Sequence, residues 1–276
     1  MAKETRTAYT ALNEIIEFET ECINHTYLPE STRADDLIWR CLCGGSNCLK
    51  SCMFLLEGDF IGSSNALLRQ VYEFLVWAKA TLDATKEQRD RLGKEFFQSS
   101  AYGDLSGRAN ISKLFKSLEY EGFPQCNSTV IMEEGKELYK LYSGFTHASA
   151  IAQIQYDTEN KVDSGKMKEW SFKQIAFLAD IYLFVLDQYI DEIKTQTKPL
   201  LSEKVSERDD IAACLMCKAA IEFQNEIEEK HNQLCHLIDD EIESNPIWYS
   251  FIDEWRIKEK KKNGKTERHR NGMYGE

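Results

Sequence analysis

The sequence predicts an all-α fold: a helix bundle followed by a long C-terminal helical hairpin. Only four prolines and fourteen glycines occur in 276 residues, so few positions interrupt a helix. Hydrophobic residues make up 42% and aromatics 11%, ample for a packed core. Apolar side chains also recur at the 3.6-residue spacing of amphipathic helices.

From about Thr5 to His25, the residues Leu12, Ile15, Ile16, Glu19, Cys22 and Ile23 fall on one helical face, while Glu14, Glu17 and Glu21 face out. Pro29 closes this segment. Ser31 or Thr32 is placed to cap the next helix, and Asp35 and Asp36 suit the positive end of its dipole. That helix continues through Leu37–Leu56, with Gly44 and Gly45 each expected to weaken it by about 1 kcal/mol. Gly58 and Gly62 mark a break. Ser63 or Ser64 then opens a strong helix, Asn65–Leu82, with Leu67, Leu68, Val71, Leu75 and Ala78 on one face.

Lys86–Phe97 is a further amphipathic segment, and shorter helices are expected near 109–120 and from Ser128 to about Gly144. The stretch up to Tyr156 is ambiguous between helix and loop, and Asp157–Gly165 reads as a loop. Ser171–Lys194 is the most hydrophobic helix, and Pro199 is expected to stop it. Its core, Ile175–Ile190, is sixteen residues long and carries Asp180 and Asp187, too short and too charged to span a bilayer. Ser206–Ser244 reads as one very long helix. Pro246 suits the first turn of a last helix, Ile247–Lys262. The expected organisation is a bundle over 1–199, a helical hairpin over 200–262 and a flexible basic tail over 263–276.

The net charge of −12 is uneven. From Arg256 to Glu276 there are eight basic residues against three acidic ones, leaving 26 basic against 43 acidic in the rest of the chain. An acidic body repels phosphate backbones, so nucleic-acid contact is expected only through the basic tail. The opening residues MAKETRTAYTA are polar and the nine cysteines are odd in number, which together predict free thiols in a reducing cytoplasm. A homo-oligomer or a protein partner is expected, and no membrane.

One constellation carries most of the chemistry. Arg69 and Glu73 lie one turn apart between apolar positions, so they are expected to pair and to be drawn inward. Tyr139, Ser143 and His147 are likewise one turn apart each and share a face if their helix persists. Such a set makes a polar pocket able to bind an anion or move a proton. The plainer reading is an exposed ion pair and a histidine satisfying a loop carbonyl.

The stretches Asn65–Ala78 (NALLRQVYEFLVWA) and Tyr139–Ser149 (YKLYSGFTHAS) resemble the two signature helices of a bacterial all-helical family, a domain of unknown function. In that family an Arg-x-x-x-Glu helix precedes a Ser-x-x-x-His-Ala-Ser element, matched here by Arg69, Glu73, Ser143, His147 and Ser149. The resemblance covers about half the chain, implies an all-α fold, and brings no reaction with it. The small helical RNases of higher eukaryotes and prokaryotes place an Arg a few residues ahead of a His. Here Lys140 precedes His147, so that pattern fails.

The remaining motifs are weaker. Cys41, Cys43, Cys48 and Cys52 could hold zinc, but they lie within an apolar helical pattern and read better as small core residues. Glu228-x-x-His231 is a single half of a di-iron motif, and no second half occurs. His231 with Cys235, and His236 with Asp240, read as solvated or packing pairs. No metal centre and no cofactor are therefore expected.

The leading expectation is a protein acting mainly through association, with a ligand pocket around Arg69, Glu73, Tyr139, Ser143 and His147. The competing one is a hydrolase or RNase-like enzyme with His147 as acid/base and Arg69 on a phosphate. A zinc-stabilised module is the third.

Overall fold

The computed structural model describes residues 2–26, 33–101, 142–146, 164–202 and 208–239. Among these the chain is all-α, with no strand. The elements are α1 (Ala2–His25), α2 (Arg33–Glu57), α3 (Ile61–Asp83), α4 (Lys86–Ala101), a short α5 at 142–146, α6 (Ser164–Ser202) and α7 (Arg208–Asp239). The helices expected near 109–120 and over 247–262 lie outside the described residues, as does 128–141 of the helix expected from Ser128.

Two helix pairs form the frame: α2 with α3, and α6 with α7. The first pair lies against α6, and α1 bridges α2, α6 and α7. Met1–Asp239 form one compact unit. The core is drawn from the stripes that the apolar periodicity defines: Leu12, Ile15, Ile16 and Ile23 on α1, Leu37, Ile38, Leu42 and Leu49 on α2, Leu68, Val71 and Leu75 on α3. Leu178, Tyr182, Val185 and Leu186 fill the centre from α6. Glu14, Glu17 and Glu21 are exposed, as the α1 pattern requires, whereas Glu19 on the apolar face is fully buried.

The α2–α3 turn is tighter than the glycine pattern suggests. The Phe60 N–H donates to the Leu55 carbonyl at 2.8 Å and the Asp59 N–H to the Leu56 carbonyl at 3.1 Å. This is the paired bonding of a Schellman ending, with Asp59 at φ 62° in the left-handed position that glycine usually takes. Gly62 falls inside the first turn of α3. Ser64 does not cap; its hydroxyl donates to the Cys52 carbonyl of α2 at 2.9 Å.

Gly44 and Gly45 do not break α2, because the neighbouring helices use them. A Cβ on Gly44 would stand 2.7 Å from the Phe74 ring of α3, so the missing side chain lets the two helices approach. The expected stop at Pro199 is corrected as well: α6 runs through it to Ser202. Proline removes one N–H from the helical ladder but leaves the backbone angles compatible with a helix, so near a helix end it weakens the last turn without ending it.

Hydrogen bonds fasten the ends. The carbonyl groups at the end of α1 accept from the Thr26 hydroxyl (Cys22, 2.8 Å), the Trp39 indole (Ile23, 3.0 Å) and the Tyr189 hydroxyl (Thr26, 3.1 Å). At α4, Thr85 and Gln88 form a reciprocal capping box, 2.9 Å and 3.4 Å. Arg89 then reaches back to the Leu82 and Ala84 carbonyls ending α3, at 2.6 Å and 3.2 Å. Its guanidinium also holds Glu192 of α6 through both terminal nitrogens. No described helix is long and apolar enough to cross a membrane.

Candidate functional site

The apolar stripe of α3 packs inward and leaves Arg69 and Glu73 at its edge, paired at 2.8 Å. Both remain partly exposed, at 23% and 31%, rather than drawn into the interior. On α5, Tyr142 and Phe145 are buried and fix the segment. The Tyr142 ring meets Tyr72 of α3 edge-on at 5.9 Å and its hydroxyl donates to Gln174 of α6 at 2.8 Å, while Phe145 lies against Trp170. With α5 so anchored, Thr146 turns toward α3 and accepts from Arg69 Nη1 at 3.1 Å. The Thr146 hydroxyl donates onward to the Ser143 carbonyl at 3.0 Å.

Two segments 77 residues apart are thereby joined through Arg69. The guanidinium spans the carboxylate of its own helix and the hydroxyl of the other. Ser143 enters the cluster through its backbone carbonyl. Thr146, which the four-residue spacing passed over, is the residue that Arg69 meets. Tyr139 and His147 lie outside the described residues.

The cysteines of α2 do not converge on one point. Residues seven and eleven apart on a helix are separated by about 10 and 16 Å along its axis, too far to share an ion. Cys41 and Cys52 are buried in the core, and Cys52 Sγ lies 3.5 Å from the Ser64 carbonyl. Cys48 Sγ faces Gln70 Oε1 at 3.8 Å. Burial raises the pKa of Cys41 and Cys52 strongly and that of Cys43 to about 11, against the ordinary 9.0. Cys41 and Cys52 are inert core thiols, while Cys43 and Cys48 are half-buried.

A second polar cluster lies between α6 and α7. His231 Nδ1 is hydrogen-bonded to Asp180 Oδ1, and His231 Nε2 stands 3.6 Å from Cys235 Sγ. Asp180 is 1% exposed, and the imidazole facing it is only partly covered. Reading His231 and Cys235 as a solvated pair missed Asp180. The available signal was a carboxylate inside the most apolar helix, a position that demands a partner.

No family model, curated protein or solved structure matches the chain. The described residues form an all-α helix-bundle protein carrying these two polar clusters.

Proposed function

We propose that the chain is a binding protein that works by association, and that the α3–α5 corner is its ligand contact. The bridge from Arg69 to Thr146 supports this reading most directly. It holds a partly exposed guanidinium between two segments far apart in sequence, oriented from one side by Glu73 and from the other by Thr146. An oriented, partly exposed guanidinium suits a planar or tetrahedral oxyanion: a carboxylate or a phosphate group. The resemblance of 65–78 and 139–149 to one helical family supports the same pairing of segments.

The experiment is a thermal-shift and calorimetric titration with inorganic phosphate, a nucleoside monophosphate and a dicarboxylate. A ligand present at 100 times its Kd raises stability by about 2.7 kcal/mol, which reads as a clear rise in Tm. Arg69→Ala should abolish the rise, and Thr146→Val should reduce it. A wild-type Tm indifferent to all three probes rejects the reading. The hydrolase alternative turns on His147, the next residue after Thr146. Turnover of a phosphoester that His147→Ala abolishes would move the corner from binding to catalysis.

A further inference from the structure

The cluster between α6 and α7 carries chemistry that the α3–α5 corner does not use. His231 and Cys235 are one turn apart on α7 and present Nε2 and Sγ 3.6 Å from each other. Zinc binds sulfur at about 2.3 Å and imidazole nitrogen at about 2.0–2.1 Å, so two ligands of a tetrahedral ion stand roughly 3.6 Å apart. The observed spacing is the edge of such a tetrahedron. The opposite imidazole nitrogen is held by Asp180, the carboxylate–histidine arrangement that fixes the ring and sharpens the free nitrogen as a donor. One ligand atom from each of Asp180, His231 and Cys235 lies within 4.8 Å of the others.

A second observation comes from α1. Glu19 is fully buried, and neither of its carboxylate oxygens has a hydrogen-bond partner among the described residues. Burial, and secondly the Asp180 carboxylate, hold its carboxyl well above the usual carboxylate range, so it keeps its proton. Two buried carboxylates repelling one another are unfavourable unless a proton or a cation compensates them. The same order of atoms, thiol, imidazole and carboxylate, would also suit a nucleophilic cysteine. Both roles need the Cys235 thiolate; amid acidic neighbours a bound cation would stabilise it, whereas a nucleophile would have to keep it unpaired.

We propose that His231 and Cys235 bind a transition-metal ion of the zinc class, with Asp180 positioning the imidazole. Nitrogen and sulfur donors select zinc or cobalt over magnesium or calcium. The two protein donors are one fewer than the three of a usual open zinc site, so solvent or an added ligand must supply the remaining positions. It is independent of the reading of Arg69: either can fail alone.

The test uses the metal-stripped full-length chain titrated with cobalt(II). One equivalent should bind with a near-ultraviolet thiolate-to-metal charge-transfer band. Cys235→Ser should remove the band, and Asp180→Asn should weaken binding by about ten- to a hundred-fold. A band that survives Cys235→Ser, or no band in the wild-type chain, overturns the proposal. A second readout needs no variant: zinc should slow alkylation of Cys235, followed by peptide mass spectrometry, and leave Cys48 unaffected. An unchanged alkylation rate at Cys235 refutes the site equally.

Discussion

Adjacent glycines in α2 meet different neighbours, and a single methyl group separates them. A Cβ on Gly44 would lie within 2.7–2.9 Å of three atoms of the Phe74 ring. On Gly45 it would meet Tyr182 at 3.4 Å, ordinary contact. Alanine is preferred over glycine in a helix by about 1 kcal/mol, so the local preference is the same at both sites. Overpacking costs typically 1–3 kcal/mol and applies to Gly44 only. Gly44→Ala should therefore destabilise by up to about 2 kcal/mol and Gly45→Ala should be neutral or stabilising, by urea denaturation. Equal effects at the two positions would contradict the close approach of α2 and α3. The thiol of Cys43 gives a pH dependence at the same scale. Burial lifts its pKa from 9.0 to about 11, with the Arg40 guanidinium opposing the rise. The folded chain thus keeps the proton more firmly than the unfolded one. The stabilisation is complete below pH 9 and is lost as pH climbs toward 11. Urea midpoints at pH 8, 9.5 and 10.5 should fall, and Cys43→Ala should flatten part of that fall. The buried thiols of Cys22, Cys41 and Cys52, raised further by burial, and the half-buried Tyr9, raised to about 12, sustain the remaining slope at higher pH.

Between elements, the strongest fastening is Arg89. One guanidinium joins the last carbonyls of α3 to the Glu192 carboxylate of α6 while itself belonging to α4. Hydrogen bonds to charged groups contribute about 1.5–3 kcal/mol, and two-pronged carboxylate pairing is the stronger form. Arg89→Ala should lower stability by about 2 kcal/mol, and Arg89→Lys should restore only part, since an ammonium cannot reproduce the fork. Full recovery with lysine in chemical denaturation would reduce the clamp to simple charge. This feature also marks what the sequence could and could not show. The apolar faces of α1, α2 and α3 were legible because burial of a stripe follows directly from 3.6-residue spacing. The role of Gly44 was not, because it depends on Phe74 of another helix. Arg89 looked like one more charge on an amphipathic segment, since its partners lie in two other elements. At the candidate site, periodicity marked Arg69 and Glu73, and the expected pairing pointed to the 139–149 segment, from which Thr146 meets Arg69. It missed Thr146 because a single row of residues four apart ignores the neighbouring i+3 position. Asp180 was noticed apart from the His231–Cys235 pair, and nothing in a linear pattern joins α6 to α7.

At the scale of the molecule, the place of α7 decides where the folded unit ends. Sequence periodicity assigns this helix to a hairpin following a bundle that closes near Pro199. In the structure α7 packs on α1 and α6, burying Ala220, Ile227 and Leu234 within the unit Met1–Asp239. Phe223 completes the contact, edge-on to Phe18 of α1 at 5.9 Å. His231 is also the hydrogen-bond partner of Asp180, a carboxylate that its own helix buries. Removing α7 would strip apolar cover from α1 and α6 and take away that partner, and each fully buried aliphatic side chain is worth about 1.5–3 kcal/mol. Two truncations separate the possibilities. A chain ending at Asp239 should unfold cooperatively, with a urea midpoint close to that of the full-length protein. A chain ending at Ser202 should lose several kcal/mol and expose apolar surface that a hydrophobic dye detects. Light scattering on both adds the oligomeric state, because an uncovered α1–α6 face invites self-association. Equal stability of the two truncated chains would make α7 an appendage and leave the fold to the helices before it.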